Sequence, residues 1–295
     1  MANINLTENP TIKKAGITTI VGRSNVGKST LLNALVGTKL AITSIKPQTT
    51  RHLIQGIIND DRGQIVLIDT PGYFTEKRSP LTAKLTEKIH HAIKDIDLIL
   101  YMVDPTRSIG QEERHLLSIL RKVTLPKILV INKIDLNEKN LPFLEDFRAL
   151  KEDFTDMIEI SALKFKHLKP LKDLIFQYLP EGEALYPADQ ISNTEPRFLI
   201  SEIIREKLFN TMGDEVPYTA TVEIEDIEDE PKILLIKAVI LTFDKRYKKM
   251  IIGQGASKIK EMGASARKEL EIMMNRKVYL DLRVEVDKDW ERRFE

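Results

Sequence analysis

From Gly16 to about Leu179, short β-branched and apolar runs alternate with amphipathic stretches, the pattern of a mostly parallel sheet covered by helices. Six strands are predicted, at Gly16 to Val21, Leu53 to Asn59, Gln64 to Asp69, Leu98 to Asp104, Lys127 to Asn132 and Asp156 to Ile160. Only Asp60-Asp61-Arg62-Gly63 separates the second from the third, too little for a crossover helix, so that pair is expected to be antiparallel. Helices are expected at Lys28 to Val36 (closed by Gly37), Leu81 to Lys94, Gln111 to Val123, Pro142 to Phe154 and Leu168 to Tyr178.

Periodicity then stops. Pro180-Glu181-Gly182 opens a stretch through Pro187, Asp189, Ser192, Asn193 and Pro196 that reads as a linker. Beyond it the order is helix (Arg197 to Asn210), strand (Tyr218 to Glu225), strand (Lys232 to Leu241), a basic turn, helix (Ser257 to Asn275) and strand (Val278 to Glu285), a small α+β domain. The expected division is residues 1–182, a linker at 183–196, and 197–295.

Composition narrows the chemistry. The 295 residues include no cysteine, which excludes disulfides, thiol nucleophiles, thiolate zinc sites and iron–sulfur clusters. Lys+Arg 45 against Asp+Glu 44 leaves no global charge excess, so a nucleic-acid partner would need a local patch. Apolar runs such as Leu98 to Val103 are far shorter than the roughly 20 residues that span a bilayer, and Met1 to Pro10 lacks the regions of a signal peptide. The expected location is the cytoplasm. His52, His90, His91, His115 and His167 have no spacing that assembles a metal site.

Gly22-Arg23-Ser24-Asn25-Val26-Gly27-Lys28-Ser29 fits G-x-x-x-x-G-K-[ST] between a predicted strand and a helix that continues through Thr30. Such a loop turns backbone N–H groups toward phosphates, its lysine reaches the β and γ oxygens, and its serine ligates Mg²⁺. Asp69-Thr70-Pro71-Gly72 ends a later strand, where the carboxylate can hold the Mg²⁺ shell and Gly72 can offer its N–H to a γ-phosphate. In Asn132-Lys133-Ile134-Asp135 the Asp135 carboxylate can accept from the N1–H and N2–H₂ edge of guanine, which adenine lacks. Ser161-Ala162-Leu163 would complete base recognition through backbone N–H.

Together these motifs resemble a GTPase of the Ras-like superfamily. Gln48-Thr49-Thr50-Arg51-His52, within the wording KPQTTRH, resembles switch I of the Era family. The resemblance implies that Thr50, with Thr49 as the alternative, closes over Mg²⁺ when the γ-phosphate is present. Signalling GTPases commonly carry a water-orienting Gln after D-x-x-G; here that position is Tyr73, and Phe74 stands where the family usually has His. Asn25 matches an Asn that helps bind K⁺ in similar GTPases, which implies K⁺ stimulation.

Asp244 to Lys268 carries eight basic and two acidic residues, 8 − 2 = +6. At its centre Gly253-Gln254-Gly255-Ala256 precedes a helix start with Lys258 and Lys260, a loop able to approach a phosphodiester backbone. This resembles a KH domain, and the blocks at Arg205 to Phe209, Glu215 to Tyr218, Lys277 to Val284 and Trp290 resemble the Era KH domain in order. The KH loop ends in Gly at its fourth position, here Ala256; its methyl would restrict φ unless Gly255 shifts the turn. The acidic strip Glu223, Glu225, Asp226, Glu228, Asp229 and Glu230 is expected to face away from RNA.

The resemblance therefore implies an α/β Ras-like P-loop GTPase domain followed by a smaller α+β type II KH domain, using GTP/GDP and Mg²⁺. Its implied partners are the 3′ end of small-subunit (16S) ribosomal RNA and the 30S precursor, with peripheral membrane association known in the family, and the chain is expected to be a monomer. Two other readings stay open: a GTPase with a protein client, and an RNA-binding assembly placeholder that hydrolyses negligibly.

Overall fold

The computed structural model describes residues 13–44, 46, 49–72, 96–213 and 215–293. Gln48, Tyr73, Phe74 and the helix expected at Leu81 to Lys94, with His90 and His91, lie outside them. Contacts divide the described residues into two units. One takes the described residues through Thr38, from 53 to 72 and from 96 to 193; the other takes those within Lys39–His52 and from Thr194.

In the first unit β1 (Lys14–Val21), β2 (Ile54–Asp60), β3 (Gly63–Asp69), β4 (Leu98–Val103), β5 (Lys127–Ile131) and β6 (Asp156–Glu159) form one sheet in the order β2-β3-β1-β4-β5-β6. As the short connection requires, β2 and β3 are antiparallel, and every other pair is parallel. Around the sheet lie α1 (Lys28–Val36), α2 (Gln111–Leu120), α3 (Leu144–Arg148) and α4 (Leu168–Tyr178). All of Leu98 to Val103 is buried, the signature of a central strand covered on both faces. Leu116, Leu117 and Leu120 of α2 pack with Val21, Ile99, Tyr101, Val103, Leu129, Ile131 and Phe147. Gly37 closes α1 at φ 84, its N–H bonding to Asn33 O at 2.9 Å, because a left-handed end favours glycine.

Where one helix is expected at Pro142 to Phe154, α3 tightens into a 3₁₀ segment, Ala149–Asp153. The segment from residue 183 to 193 bonds along β2 and β3. Ile57 N–H donates to Ile191 O (2.9 Å), Asn59 Nδ2 to Ala188 O (2.8 Å), Ser192 Oγ to Gln55 O (2.7 Å), and Gln64 exchanges both amide bonds with the Tyr186 backbone. It covers the outermost strand of the sheet, an edge that would otherwise leave backbone groups unpaired.

The second unit contains α5 (Pro196–Thr211), β7 (Ala220–Glu230), β8 (Ile233–Thr242), α6 (Lys245–Ile252), α7 (Ser257–Met274) and β9 (Lys277–Val286). Its sheet runs β7-β8-β9, antiparallel then parallel. Met262, Ala266 and Leu270, spaced four apart on α7, meet Ile200, Ile203, Ile204 and Leu208 of α5 in one core with Ile236, Ala238 and Ile240. The stretch expected as a basic turn is largely helical. Asp244 caps α6 by accepting from Arg246 N–H (2.7 Å) and Tyr247 N–H (3.0 Å), and Ile251 anchors it in the core, so the lysines are carried on a helix. A 3₁₀ turn occupies Val216–Thr219, so β7 starts at Ala220 rather than Tyr218 and carries the acidic strip to its end. There Lys237 pairs with Asp226 (3.1 Å) and Glu228 (2.7 Å).

Candidate nucleotide site and nucleic-acid loop

Every phosphate and base motif of the first unit sits just past the carboxyl end of a parallel strand: Gly22–Ser29 after β1, Asp69 at the end of β3, Asn132 after β5 and Ser161 after β6. This is the edge where open α/β sheets place ligands. Gly27 has φ 108, and a Cβ there would come within 2.3 Å of Asn132 Nδ2, so the loop tolerates only glycine. Asn25 also adopts a left-handed conformation, φ 61, and Val26 is buried. Thr30 lies in the first turn of α1.

Lys28 is buried and its ammonium donates to Gly22 O (3.0 Å) and Arg23 O (2.9 Å), which curls the loop around its own side chain. Burial pushes the Lys28 pKa down to about 8, against the attraction of Asp69. Ser29 Oγ donates to Asp69 Oδ2 at 2.5 Å. Burial raises the Asp69 carboxyl to about 6, although Lys28 and Ser29 favour its charged form. Asp69 Oδ1 is buried with no hydrogen-bond partner among the described residues, an acceptor suited to a cation or its hydration shell. Thr70 Oγ1 donates to Ile20 O (2.8 Å), and Pro71 is buried. Gly72 closes on the loop so tightly that a Cβ would lie 2.7 Å from Ser24 Cα.

At the base end, Asn132 ties three motifs together. Its Nδ2 donates to Val26 O (2.8 Å) and its Oδ1 accepts from Ala162 N–H (3.0 Å). Ser161 Oγ donates to Asp135 Oδ1, orienting the carboxylate assigned to guanine. Leu163 is exposed beside this loop.

Two residues that sequence reasoning passed over complete the first unit's site. Asp104, after β4, accepts from Thr106 N–H (3.0 Å) and Thr106 Oγ1 (2.7 Å) and pairs with Lys133 Nζ. Arg107, in the same turn, donates from Nη2 to Ser24 O at 2.7 Å, while Arg23 pairs with Glu112 (2.5 Å) and Glu113 (3.3 Å) at the start of α2. The Asp-x-Thr turn at Asp104 was the available signal.

The described switch I residues belong to the second unit. Thr49 and Thr50 are buried; Thr49 Oγ1 donates to Lys46 O (2.8 Å), and Arg205 donates to Thr49 O. Arg51 is 1% exposed, donates to Ala220 O (3.0 Å) and Pro217 O (3.3 Å), and stands over the rings of Phe209 and Trp290. Burial and the neighbouring Arg205 lower its pKa to about 9. His52 meets Phe198 edge-on at 4.9 Å.

Between α6 and α7, Gly253 (φ 73), Gly255 (φ 58) and Ala256 (φ 61) all have positive φ. The turn is not shifted to spare the alanine: Ala256 itself takes the left-handed conformation at the start of α7. Gln254, Lys258 and Lys260 are exposed around it.

Residues 17–133 match a family model described as a 50S ribosome-binding GTPase, and residues 215–291 match a KH domain model. The chain is 41% identical over 279 residues to GTPase Era of Nitrosomonas eutropha, covering 94% of both chains, and 41% identical to GTPase Era of Clostridium kluyveri, covering 94% of this chain and 95% of that one. The chain belongs to the GTPase Era family. A variant of Aquifex aeolicus Era bound to GDP·AlF₄⁻ superposes with a TM-score of 0.88 at 39% identity, covering 95% of this chain and 96% of that one. An Era solved with MgGDPNP and nucleotides 1506–1542 of 16S ribosomal RNA gives 0.89 at 39% identity over the same shares. As an Era-family member the protein is a GTPase, with a Ras-like P-loop domain and a C-terminal KH domain.

Proposed function

We propose that this protein is a GTP-hydrolysing switch that binds the 3′ end of small-subunit ribosomal RNA and acts in small-subunit assembly, with the 30S precursor as its partner. The observation that carries the proposal is one chain holding both the phosphate and guanine loops and a tight turn ringed by exposed lysines. The likeness to an Era solved with 16S ribosomal RNA supports the choice of RNA.

In this reading the loop from Gly22 to Ser29, with Lys28, cradles the β and γ phosphates, and Gly72 N–H senses the γ-phosphate. The unpartnered Asp69 Oδ1 and the Ser29 hydroxyl fit Mg²⁺, with Thr50 assigned as its further ligand in the GTP state. When bound, the ion neutralises charge that develops on the phosphate oxygens. Asp135, held by Ser161, selects guanine, with Asn132, Lys133, Ala162 and Leu163 framing the base. Asn25 is assigned to a stimulating K⁺. Gly253 to Ala256, with Lys258 and Lys260, is assigned to the RNA backbone.

Binding of a small-subunit 3′-end RNA and a scrambled control, with GDP or a non-hydrolysable GTP analogue in K⁺ buffer, tests the proposal. A loop clamping about four nucleotides gives a log–log salt slope near −0.7 per phosphate, or about −2.8. Raising salt from about 0.1 to about 0.4 M should then weaken binding roughly fiftyfold. Weak binding that ignores RNA sequence, nucleotide and salt would refute it and favour a protein client.

A further inference from the structure

We propose that Arg107 is a positioning residue that fixes the phosphate loop for the γ-phosphate in particular, so that it tunes preference for GTP over GDP and the rate of hydrolysis. The inference rests on the assignment of Gly22 to Ser29 to the phosphates.

Three observations carry it. First, Arg107 Nη2 donates to Ser24 O at 2.7 Å across 83 residues of sequence, a charge-assisted bond to the backbone of the loop itself. In a trans peptide the carbonyl and the following N–H point in opposite directions. A guanidinium that holds the Ser24 carbonyl therefore also sets the direction of Asn25 N–H, at the residue where the loop turns left-handed with φ 61.

Second, this peptide stands at the end of the site where GTP and GDP differ. Gly72, the glycine assigned to the γ-phosphate, packs so closely that a Cβ would come within 2.7 Å of Ser24 Cα and 2.9 Å of Ser24 N. The peptide that Arg107 holds starts at that same Ser24 Cα, so letting it drift displaces the backbone against which the Gly72 turn packs. The Lys28 cradle hangs on different carbonyls, Gly22 O and Arg23 O.

Third, Arg107 is itself held. Asp104 is 4% exposed; its Oδ1 accepts from Thr106 N–H and Oγ1, and its Oδ2 faces Arg107 Nε at 3.6 Å and pairs with Lys133 Nζ. Arg107 N–H also donates to Asp104 O (3.2 Å), and Lys133 belongs to the guanine motif, so one residue holds the lysine of the base end through its carboxylate and the arginine of the γ end through its backbone carbonyl, with the carboxylate in ion-pair range. A bond from a mobile surface arginine would not constrain a peptide; one from an arginine whose turn is tied to a buried aspartate does.

The test compares Kd for GDP and for a non-hydrolysable GTP analogue, together with single-turnover hydrolysis, in wild type, Arg107→Ala, Arg107→Lys and Lys28→Ala. Loss of one charge-assisted bond predicts that Arg107→Ala weakens the analogue about tenfold, changes GDP less than about threefold and slows hydrolysis about tenfold. Arg107→Lys keeps the charge without the planar fork and should show the same split at smaller size, which decides the matter if Arg107→Ala does not fold. Equal weakening of both nucleotides, or no change in either, while Lys28→Ala still weakens both, would overturn the inference and leave the phosphate site standing. Unchanged affinities in Lys28→Ala would instead overturn the phosphate assignment, and the Arg107 inference with it.

Discussion

Replacing Ala256 by glycine should stabilise the second unit. Ala256 has φ 61 and ψ 26, where its Cβ crowds the carbonyl oxygen. That conformation costs an L-residue about 1–2 kcal/mol. Glycine removes the cost but loses more chain entropy on folding, roughly 0.4–1 kcal/mol. Taking about 1.5 against about 0.7 leaves a net gain near 0.8 kcal/mol. The neighbouring Gly255 supplies the reverse experiment. It has φ 58, and a Cβ there would meet nothing within 4 Å, so Gly255→Ala tests backbone strain without a clash and should destabilise by about 1 kcal/mol. The assay is urea unfolding followed by tryptophan fluorescence. Trp290 is the sole tryptophan, is 2% exposed and stacks on Phe243 at 5.4 Å, so its emission reports the second unit. A midpoint that rises in Ala256→Gly and falls in Gly255→Ala, at constant m, is the expected outcome. If Ala256→Gly lowers the midpoint, the turn is not strained at Ala256 and the reasoning fails.

Further outcomes follow from the buried polar groups. Burial alone would raise the Glu206 carboxyl, but Lys39 (2.7 Å), Thr43 N–H (3.0 Å) and Lys207 (2.9 Å) hold it below the usual carboxylate range. Its stabilising effect is therefore full above the unfolded value of about 4.3 and is lost as pH falls through the lower folded value; in Glu206→Gln the acid limb of a Trp290-monitored stability profile should flatten, and an unchanged limb would count against it. Asn132→Ala leaves buried Val26 O and Ala162 N–H without their partners, about 1–3 kcal/mol each, so chemical denaturation should show a first unit destabilised by roughly 2–4 kcal/mol with weakened GDP binding. Asp135→Asn presents a donor where guanine needs acceptors, so GTP affinity should fall by at least about a hundredfold while xanthosine triphosphate, which offers an oxygen there, gains; competition binding reads both.

The sequence by itself determined the elements and the motif loops, because both are local. A strand followed by Gly22 to Ser29 must turn where its glycines allow, and a four-residue link, Asp60 to Gly63, between two apolar runs makes an antiparallel pair. Alternation of strand and helix then sends Asp69, Asn132 and Ser161 to the same edge of the sheet. Helix α6 was partly legible, since Asp244 is a capping residue and Tyr247 and Ile251 lie four apart, but five charged residues among them read as a turn. Tertiary structure alone decided the rest. Arg107 bonds to a carbonyl, which every residue has, so nothing in the identity of Ser24 announces the contact. The stretch from residue 183 to 193 lies against β2 and β3 largely through backbone groups, which leave no period in the side chains. Glu202, Arg205 and Glu206 look like the solvent face of α5, yet they are buried under Lys39–His52, more than 150 residues away in sequence, and no local pattern reports a partner that distant.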